Sequence, residues 1–264
     1  SSSLRVVRAA NSGSVNAVVS GTALQIKNTD HYQNGDGSTG PYNTGSANVG
    51  EWAARTAGAW GNSLQVSVCP SATAYEETNK TTTNDSSISI GDTTLTLTSG
   101  TDFNVGDIIN FGETGGHEYR ITAVSSNDIT FVRHPSGTGG LHTALSGGTQ
   151  VRRRWRYYDL VDKAPGTSTY TSTRSGANDE MHIVVIDEDG GITGTAGEVL
   201  EVYDSVSKAS DAKTAQGDSN YYADVIYNKS QYIYWMDHNT GGSNWGSTAS
   251  GTTFTAVDTP FVDS

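Results

Sequence analysis

The fold class is decided by three consecutive stretches: His182-Ile-Val-Val-Ile186, Asp187-Glu-Asp-Gly-Gly191 and Glu198-Val-Leu-Glu-Val-Tyr-Asp-Ser-Val-Ser207. The first and third are rich in β-branched residues, and the third alternates between apolar and polar side chains, as strands do. Asp-Gly at 189–190 is typical of the turn between two antiparallel strands. The sequence therefore predicts a β hairpin, with the acidic residues 187–189 at a solvated tip.

Short apolar runs recur between residues 81 and 150, separated by Gly-Asp, Gly or Asn-Asp turns. The runs lie at 88–90, 95–97, 108–111, 119–121 and 129–131. Several short strands with tight turns in about 70 residues are typical of a small barrel or meander, which closes to avoid unpaired edges. We predict an inserted small antiparallel β-barrel over residues 80–155.

The remaining chain predicts a host domain in two parts. Residues 1–79 form its first part, with strands at 4–10 and 63–69, a long loop at 11–49 and a helix at 51–57. Residues 156–240 form its second part, with a short helix at 220–228 and an aromatic strand at 231–236. Residues 241–264 are predicted to be a polar linker. The fold class is α+β and β-rich, with a β-sandwich-like host domain and a few short helices.

Composition excludes several classes of protein. Sixteen basic against 28 acidic residues give a net charge of −12, which argues against direct nucleic-acid binding. We predict no membrane insertion, because no stretch approaches the roughly 20 apolar residues that a helical span needs. The single Cys69 lies in an apolar alternation, where a small buried hydrophobic residue is expected.

Chemistry-bearing motifs are sparse. The six histidines are scattered without ligand spacing, and the sequence has no G-x-S-x-G elbow. Glu76-Glu77 and Asp179-Glu180 are interpreted as parts of polar connectors. We therefore predict no catalytic, metal or cofactor-binding residues and no enzymatic activity. A polysaccharide hydrolase with two paired carboxylates stays open as a third interpretation.

Four arginines fall within five residues, Arg152-Arg-Arg-Trp-Arg156, in an otherwise acidic chain. In a strand, Arg152, Arg154 and Arg156 share one face, while Arg153 and Trp155 share the other. One interpretation is a contact between subunits through Arg152, Arg153, Arg154 and Arg156, which aids register and association rate. The other is an edge strand protected by its charge.

Aromatic residues cluster near the end of the chain. They are Tyr221, Tyr222, Tyr227, Tyr232, Tyr234, Trp235 and Trp245. Aromatic rings stack on the apolar faces of sugars, and they also pack in cores and subunit interfaces. Both interpretations stay open.

Seven blocks of sequence, in order, resemble the tail sheath protein of contractile-tailed bacteriophages. The blocks are residues 4–9, 49–54, 61–67, 186–203, 207–213, 220–226 and 232–235. Residues 88–151 separately resemble a small β module that is inserted in various phage structural proteins. The resemblance places the chain before the carboxy-terminal domain of that family.

The resemblance implies a structural virion protein that is assembled in the bacterial cytoplasm and located in the tail. Hexameric rings would stack into a helical sheath around the tail tube, contact the baseplate, and contract to drive the tube through the host envelope. A phage or cell-surface glycan-binding adhesin is the alternative function.

Overall fold

The computed structural model of the chain describes residues 13–19, 22–45, 50–255 and 257–263. Two compact units divide the chain. The first unit lies within residues 1–68, 167–255 and 261–264, and the second comprises residues 69–166 and 256–260. The second unit is therefore longer than the predicted insertion at 80–155. The predicted strand at 4–10 lies outside the described residues.

The described elements are mostly short strands with few helices. The strands are β1 (Ala17–Val19), β2 (Thr22–Leu24), β3 (Trp52–Ala54), β4 (Leu64–Cys69), β5 (Glu76–Thr82), β6 (Thr94–Thr96), β7 (Ile108–Asn110), β8 (Glu118–Ser125), β9 (Asp128–His134), β10 (Gln150–Arg154), β11 (Glu180–Asp187), β12 (Glu198–Ser207), β13 (Ile233–Trp235) and β14 (Phe261–Asp263). The α-helices are α1 (Thr29–Asn34), α2 (Ala72–Tyr75), α3 (Thr169–Ser172) and α4 (Tyr222–Lys229), and 3₁₀ helices span Ala59–Ser63 and Tyr158–Leu160. The β-rich α+β class is confirmed. No helix formed by these residues is long and apolar enough to span a bilayer.

The predicted hairpin is confirmed as β11 and β12, an antiparallel pair in the first unit. It belongs to a four-stranded sheet with the order β12-β11-β4-β14. Every residue of β11 is buried, which explains why residues 183–186 at its centre are all apolar rather than alternating. The predicted strand at 63–69 is confirmed as β4, where Cys69 is buried as expected. The sheet thus joins segments that lie more than 100 residues apart.

A second pairing in the first unit joins β13 to β3. The helix predicted at 51–57 is wrong, because Trp52–Ala54 instead forms β3 opposite Ile233–Trp235. The guanidinium of Arg55 lies 4.6 Å from the centre of the Tyr234 ring and donates hydrogen bonds to backbone carbonyls at the end of α4. Tertiary pairing here overrides the helix propensity of residues 51–57. The aromatic strand and the helix predicted near 220–228 are confirmed as β13 and α4.

Two predicted irregular segments are in fact folded. The predicted long loop contains the β1–β2 hairpin and helix α1, whose Tyr32 is buried. The predicted linker at 241–264 is also wrong for the described residues, because Trp245 and Phe254 are buried and β14 pairs with β4. A few large apolar side chains anchor these Gly-, Ser- and Thr-rich stretches.

The second unit contains a six-stranded sheet with the order β5-β10-β7-β8-β9-β6. Four of the five predicted runs contribute strands, and Ile88 from the fifth forms an isolated bridge with Leu145. Inward-facing side chains, including Ile109, Phe111 and Phe131, form its apolar core. The outer strands meet near an isolated Thr83–Leu97 bridge and a hydrogen bond from Thr98 to Thr82, and the described residues form no closed barrel.

Candidate functional site

The arginine segment lies on β10, between β5 and β7 in the second unit. The alternation predicted for it is confirmed: Arg153 and Trp155 are buried, whereas Arg152 is exposed and Arg154 and Arg156 are half-buried. The strand ends at Arg154. Arg152 and Arg154 therefore share one face of β10, whereas Arg156 lies beyond the end of the strand.

Arg153 is unsuited to a subunit contact, which corrects its place among the candidate residues. Its side chain is fully buried, and its guanidinium donates to the carbonyl oxygens of Ala74 at 3.1 Å, Thr73 at 3.2 Å and Asp258 at 3.4 Å. A buried guanidinium is retained only where such acceptors surround it. Arg153 thus ties residues 73–74 to residue 258 within the second unit.

Arg154 is held by two carboxylates from other strands of the same sheet. Its guanidinium lies 2.9 Å from Glu118 on β8 and 3.2 Å from Glu76 on β5. Burial lowers the pKa of Arg154, but the hydrogen bond and charge of Glu76 outweigh burial and leave the pKa above its ordinary value. This arginine has two partners within its own unit.

Arg152 and Arg156 are the two candidates with weaker partners. Arg152 is 46% exposed and lies 3.9 Å from the nearest oxygen of Glu76, so that pair is loose. The guanidinium of Arg156 lies 5.0 Å from the centre of the Tyr157 ring, and its stem lies against Gly106. Of the four arginines, these two are therefore the most available to bind a carboxylate of another subunit.

Four acidic residues lie where the sequence did not predict them. Asp179 and Glu180 are buried rather than in a polar connector. The carboxylate of Asp179 accepts hydrogen bonds from the backbone and hydroxyl of Ser168 and from the hydroxyl of Ser207. Glu76 and Glu77, also assigned to a connector, begin β5. These side chains support the fold.

Asp187 is also buried, whereas Glu188 and Asp189 form an exposed tip as predicted. The carboxylate of Asp187 accepts hydrogen bonds from Ser63 at 2.6 Å and from the backbone and hydroxyl of Thr193. Burial alone would raise the pKa of Asp187, but these hydrogen bonds outweigh it and hold the pKa well below its usual range. Asp187 thus joins the hairpin end to the start of β4.

The aromatic residues divide between a core and a cavity in the first unit. Tyr234 is buried and stacks on Tyr32, with ring centres 4.3 Å apart, which places it in the core. Tyr232 stacks on Trp60. Four of the others line a cavity of about 680 Å³: Tyr221, Tyr227, Trp235 and Trp245. Its walls also include His238, Asn43, Asp224 and Asn228.

Tyr222 connects the aromatic residues around this cavity. Its hydroxyl accepts a hydrogen bond from Trp235 Nε1 at 2.9 Å and lies 2.6 Å from His238 Nδ1. Burial raises the pKa of Tyr222 well above its ordinary value, so the hydroxyl keeps its proton. Sequence reasoning named the aromatic residues but missed His238, Asp224 and Asn43, since no motif signals that these distant positions meet.

The described residues contain no cluster of three or more His, Cys, Asp or Glu side chains that could hold a metal ion. No family model, curated protein or solved structure matches this chain.

Proposed function

We propose that this chain is part of a structural subunit of a contractile phage tail sheath. The observation that carries the proposal is that blocks resembling the sheath family belong to one compact unit. Residues 61–67, 186–203, 220–226 and 232–235 all lie in the first unit, and β4 neighbours β11 in one sheet. This arrangement is what a single host domain interrupted by an insertion requires.

The proposal has an architectural part and an assembly part. The first unit is a β-sandwich-like sheath domain, and the second is an inserted barrel-like module whose strands do not close within the described residues. Copies form hexameric rings that stack around a tail tube, contact the baseplate and contract, without enzymatic activity. The assembled protein is located in the virion tail. The low fraction of hydrophobic residues, 34%, suits subunit contacts that break and re-form during contraction.

Arg152 and Arg156 are proposed to contribute one of the contacts between subunits. The chain is acidic overall, so a neighbouring copy offers many carboxylates to an exposed guanidinium. Arg154 is assigned to its own unit, because Glu76 and Glu118 already engage it. The partner surface is therefore a carboxylate-bearing face of a second copy.

The test is assembly of the full-length protein that contains this sequence, followed by electron microscopy. We expect hollow tubes built of six-fold rings. The double variant Arg152→Glu and Arg156→Glu should form few or no tubes. The matched control, Arg174→Glu with Lys229→Glu, makes the same charge change at two exposed residues of the first unit and should assemble normally. Normal tubes from the first variant would remove the arginine contact, and a full-length protein that stays monomeric at every concentration would contradict the sheath proposal.

The adhesin alternative makes a different prediction for the same protein. An adhesin would remain a discrete oligomer and bind glycans strongly enough to attach a particle to a cell. A protein that forms no tubes yet attaches to host cells would favour that function.

A further inference from the structure

The cavity in the first unit combines aromatic walls with a polar rim. Tyr221 and Tyr227 are partly exposed along it, while Trp235 and Trp245 are more deeply buried behind. A volume of about 680 Å³ lies within the range of small-molecule sites. The wall and rim are provided by segments near residues 32–44, 221–228 and 235–247, so the cavity is a product of tertiary folding.

Two hydrogen-bonding groups of the cavity have no partner among the described residues: Tyr221 Oη and His238 Nε2. The buried Tyr222 hydroxyl accepts from Trp235, and His238 Nδ1 is the acceptor that lies within reach of its own proton among the described residues, so we assign this bond as Tyr222 donating to Nδ1. Burial lowers the pKa of His238, so the imidazole is neutral at neutral pH and its proton is on Nε2. The geometry therefore provides two donors, one N–H and one O–H.

Gly246 leaves space beside both donors. A methyl group at this position would lie 2.6 Å from His238 Nε2 and 3.3 Å from Tyr221 Oη. The backbone there has φ of +83°, which glycine adopts without strain. The absence of a side chain at residue 246 keeps both donors accessible from the cavity.

Two acceptors also line the cavity. Asp224 Oδ2 accepts from Ser219, which leaves Oδ1 for another donor. The amide nitrogen of Asn228 donates to the Asp224 carbonyl, which leaves its side-chain oxygen as an acceptor. Donors, acceptors and partly exposed rings thus surround one cavity.

The charge of the lining limits the ligand class. Asp224 contributes a negative charge, and no lysine or arginine is among the described residues that line the cavity. A phosphate or carboxylate ligand would therefore be repelled. A quaternary ammonium ligand would suit the rings and Asp224, but it would leave Tyr221 and His238 unpaired, which costs binding free energy.

We propose that this cavity binds a short neutral saccharide. Sugar C–H faces would contact the rings of Tyr221 and Tyr227, and hydroxyl groups would accept from Tyr221 and His238 and donate to Asp224 and Asn228. This binding activity goes beyond the sheath proposal and does not depend on it, because all the groups belong to one unit of one chain.

The test is binding of the full chain to an array of bacterial and mammalian glycans, followed by calorimetric titration with the best neutral glycan, with choline and with inorganic phosphate. We expect saturable binding of the neutral glycan and none of choline or phosphate. Gly246→Ala should weaken that binding at least tenfold. The matched control is Gly194→Ala, whose φ of +88° gives similar strain but whose added methyl meets open space; it should bind like the wild type.

A second variant keeps the proposal testable if Gly246→Ala does not fold. Asn228 is exposed, so Asn228→Ala should fold normally and still weaken glycan binding severalfold. An array without a neutral glycan ligand, glycan binding that survives both variants, or preferential binding of choline or phosphate would each overturn the proposal. None of these results bears on tube formation, so the saccharide site and the sheath proposal fail independently.

Discussion

The six-stranded sheet of the second unit surrounds an apolar cluster, whereas the four-stranded sheet of the first unit is bordered by buried charges. The second unit packs Phe111, Tyr119 and Phe131 together. The first buries Asp179 and also Lys208, whose ammonium donates to two backbone carbonyls. Apolar burial is non-directional, while buried charges demand fixed partners. The second unit also buries Arg153 and Asp107, so both units combine the two kinds of contact. The contrast therefore lies between the apolar cluster of the second unit and the polar contacts beside the sheet of the first.

The largest expected effect breaks the packing of the second unit. Phe131 is fully buried, with its ring centre 5.2 Å from that of Tyr119 and 5.9 Å from that of Phe111. Phe131→Ala should lower the free energy of unfolding of this unit by about 3–5 kcal/mol. Hydrogen–deuterium exchange should show the loss in residues 69–166, while residues 167–255 keep their protection. The control Ile90→Ala, at an exposed site, should change the free energy of unfolding little. Equal loss of protection in both units would contradict the assignment of this packing to the second unit.

The next prediction concerns Asp107, a buried acidic residue of the second unit. Burial raises the pKa of Asp107 to about 6, although the charge of Arg153 lowers it. The folded state therefore binds the Asp107 proton more tightly than the unfolded state does, and this preference stabilises the fold. The stabilisation is complete at pH values below the unfolded pKa near 4, and it is lost as the pH rises through the folded pKa of about 6. The loss is on the order of 3 kcal/mol. Asp107→Asn should remove it.

Urea unfolding at pH 4 and pH 7 measures this difference. Asp107→Asn should be stabilised relative to wild type at pH 7, and the gap should shrink toward pH 4. The exposed tip variant Asp189→Asn should show no such dependence. The opposite sign applies to Asp187 in the first unit, whose lowered pKa stabilises the fold at neutral pH and ceases to do so as acid protonates it. A gap for Asp107→Asn that grows toward acid would refute this assignment.

A smaller effect should follow in the first unit from Asp179→Ala. The substitution removes the acceptor of three hydrogen bonds from Ser168 and Ser207, which leaves the Ser207 donor buried and the two Ser168 donors half-buried. We expect a loss of about 1–3 kcal/mol, seen as faster exchange in residues 167–255. Asp179→Asn, which keeps one acceptor oxygen, should recover part of it. Unchanged protection in Asp179→Ala would mean that polar contacts do not sustain this unit.

The smallest expected effect is at the surface of the second unit. Arg154 and Glu118 form a pair at 2.9 Å in which each side chain is about one quarter exposed. Glu118→Gln should cost only about 0.2–1 kcal/mol, because solvent screens the pair and Glu76 still engages the arginine. Urea unfolding in low and high salt checks this. A cost comparable to that of Phe131→Ala would mean that surface charge, rather than packing, holds this unit.

The strands of both units could be predicted because their sequences encode burial directly. The run from His182 to Ile186 is apolar at nearly every position, and the β8 and β9 residues alternate on either side of the Ser126-Asn127 turn. The local sequence pattern does not predict secondary structure correctly where pairing with a distant segment determines it. Residues 51–57 favour a helix by propensity, yet Trp52–Ala54 becomes a strand because β13 lies beside it.

The candidate sites were less predictable than the strands. The alternation of residues 152–156 follows from strand geometry, but the carbonyls that bury Arg153 come from Thr73, Ala74 and Asp258. The cavity joins Asn43 to Asp224 and His238, which are far apart in sequence and belong to no motif. Both depend on long-range folding that composition and spacing do not encode.

The most direct test of the sheath proposal is the location of the protein on a virus particle. Virions produced from the genome that encodes this chain can be labelled with gold-coupled antibodies raised against it and viewed by electron microscopy. We expect label along the whole length of a contractile tail. Label confined to fibres or the tail tip, or no label on the particles, would contradict the proposal.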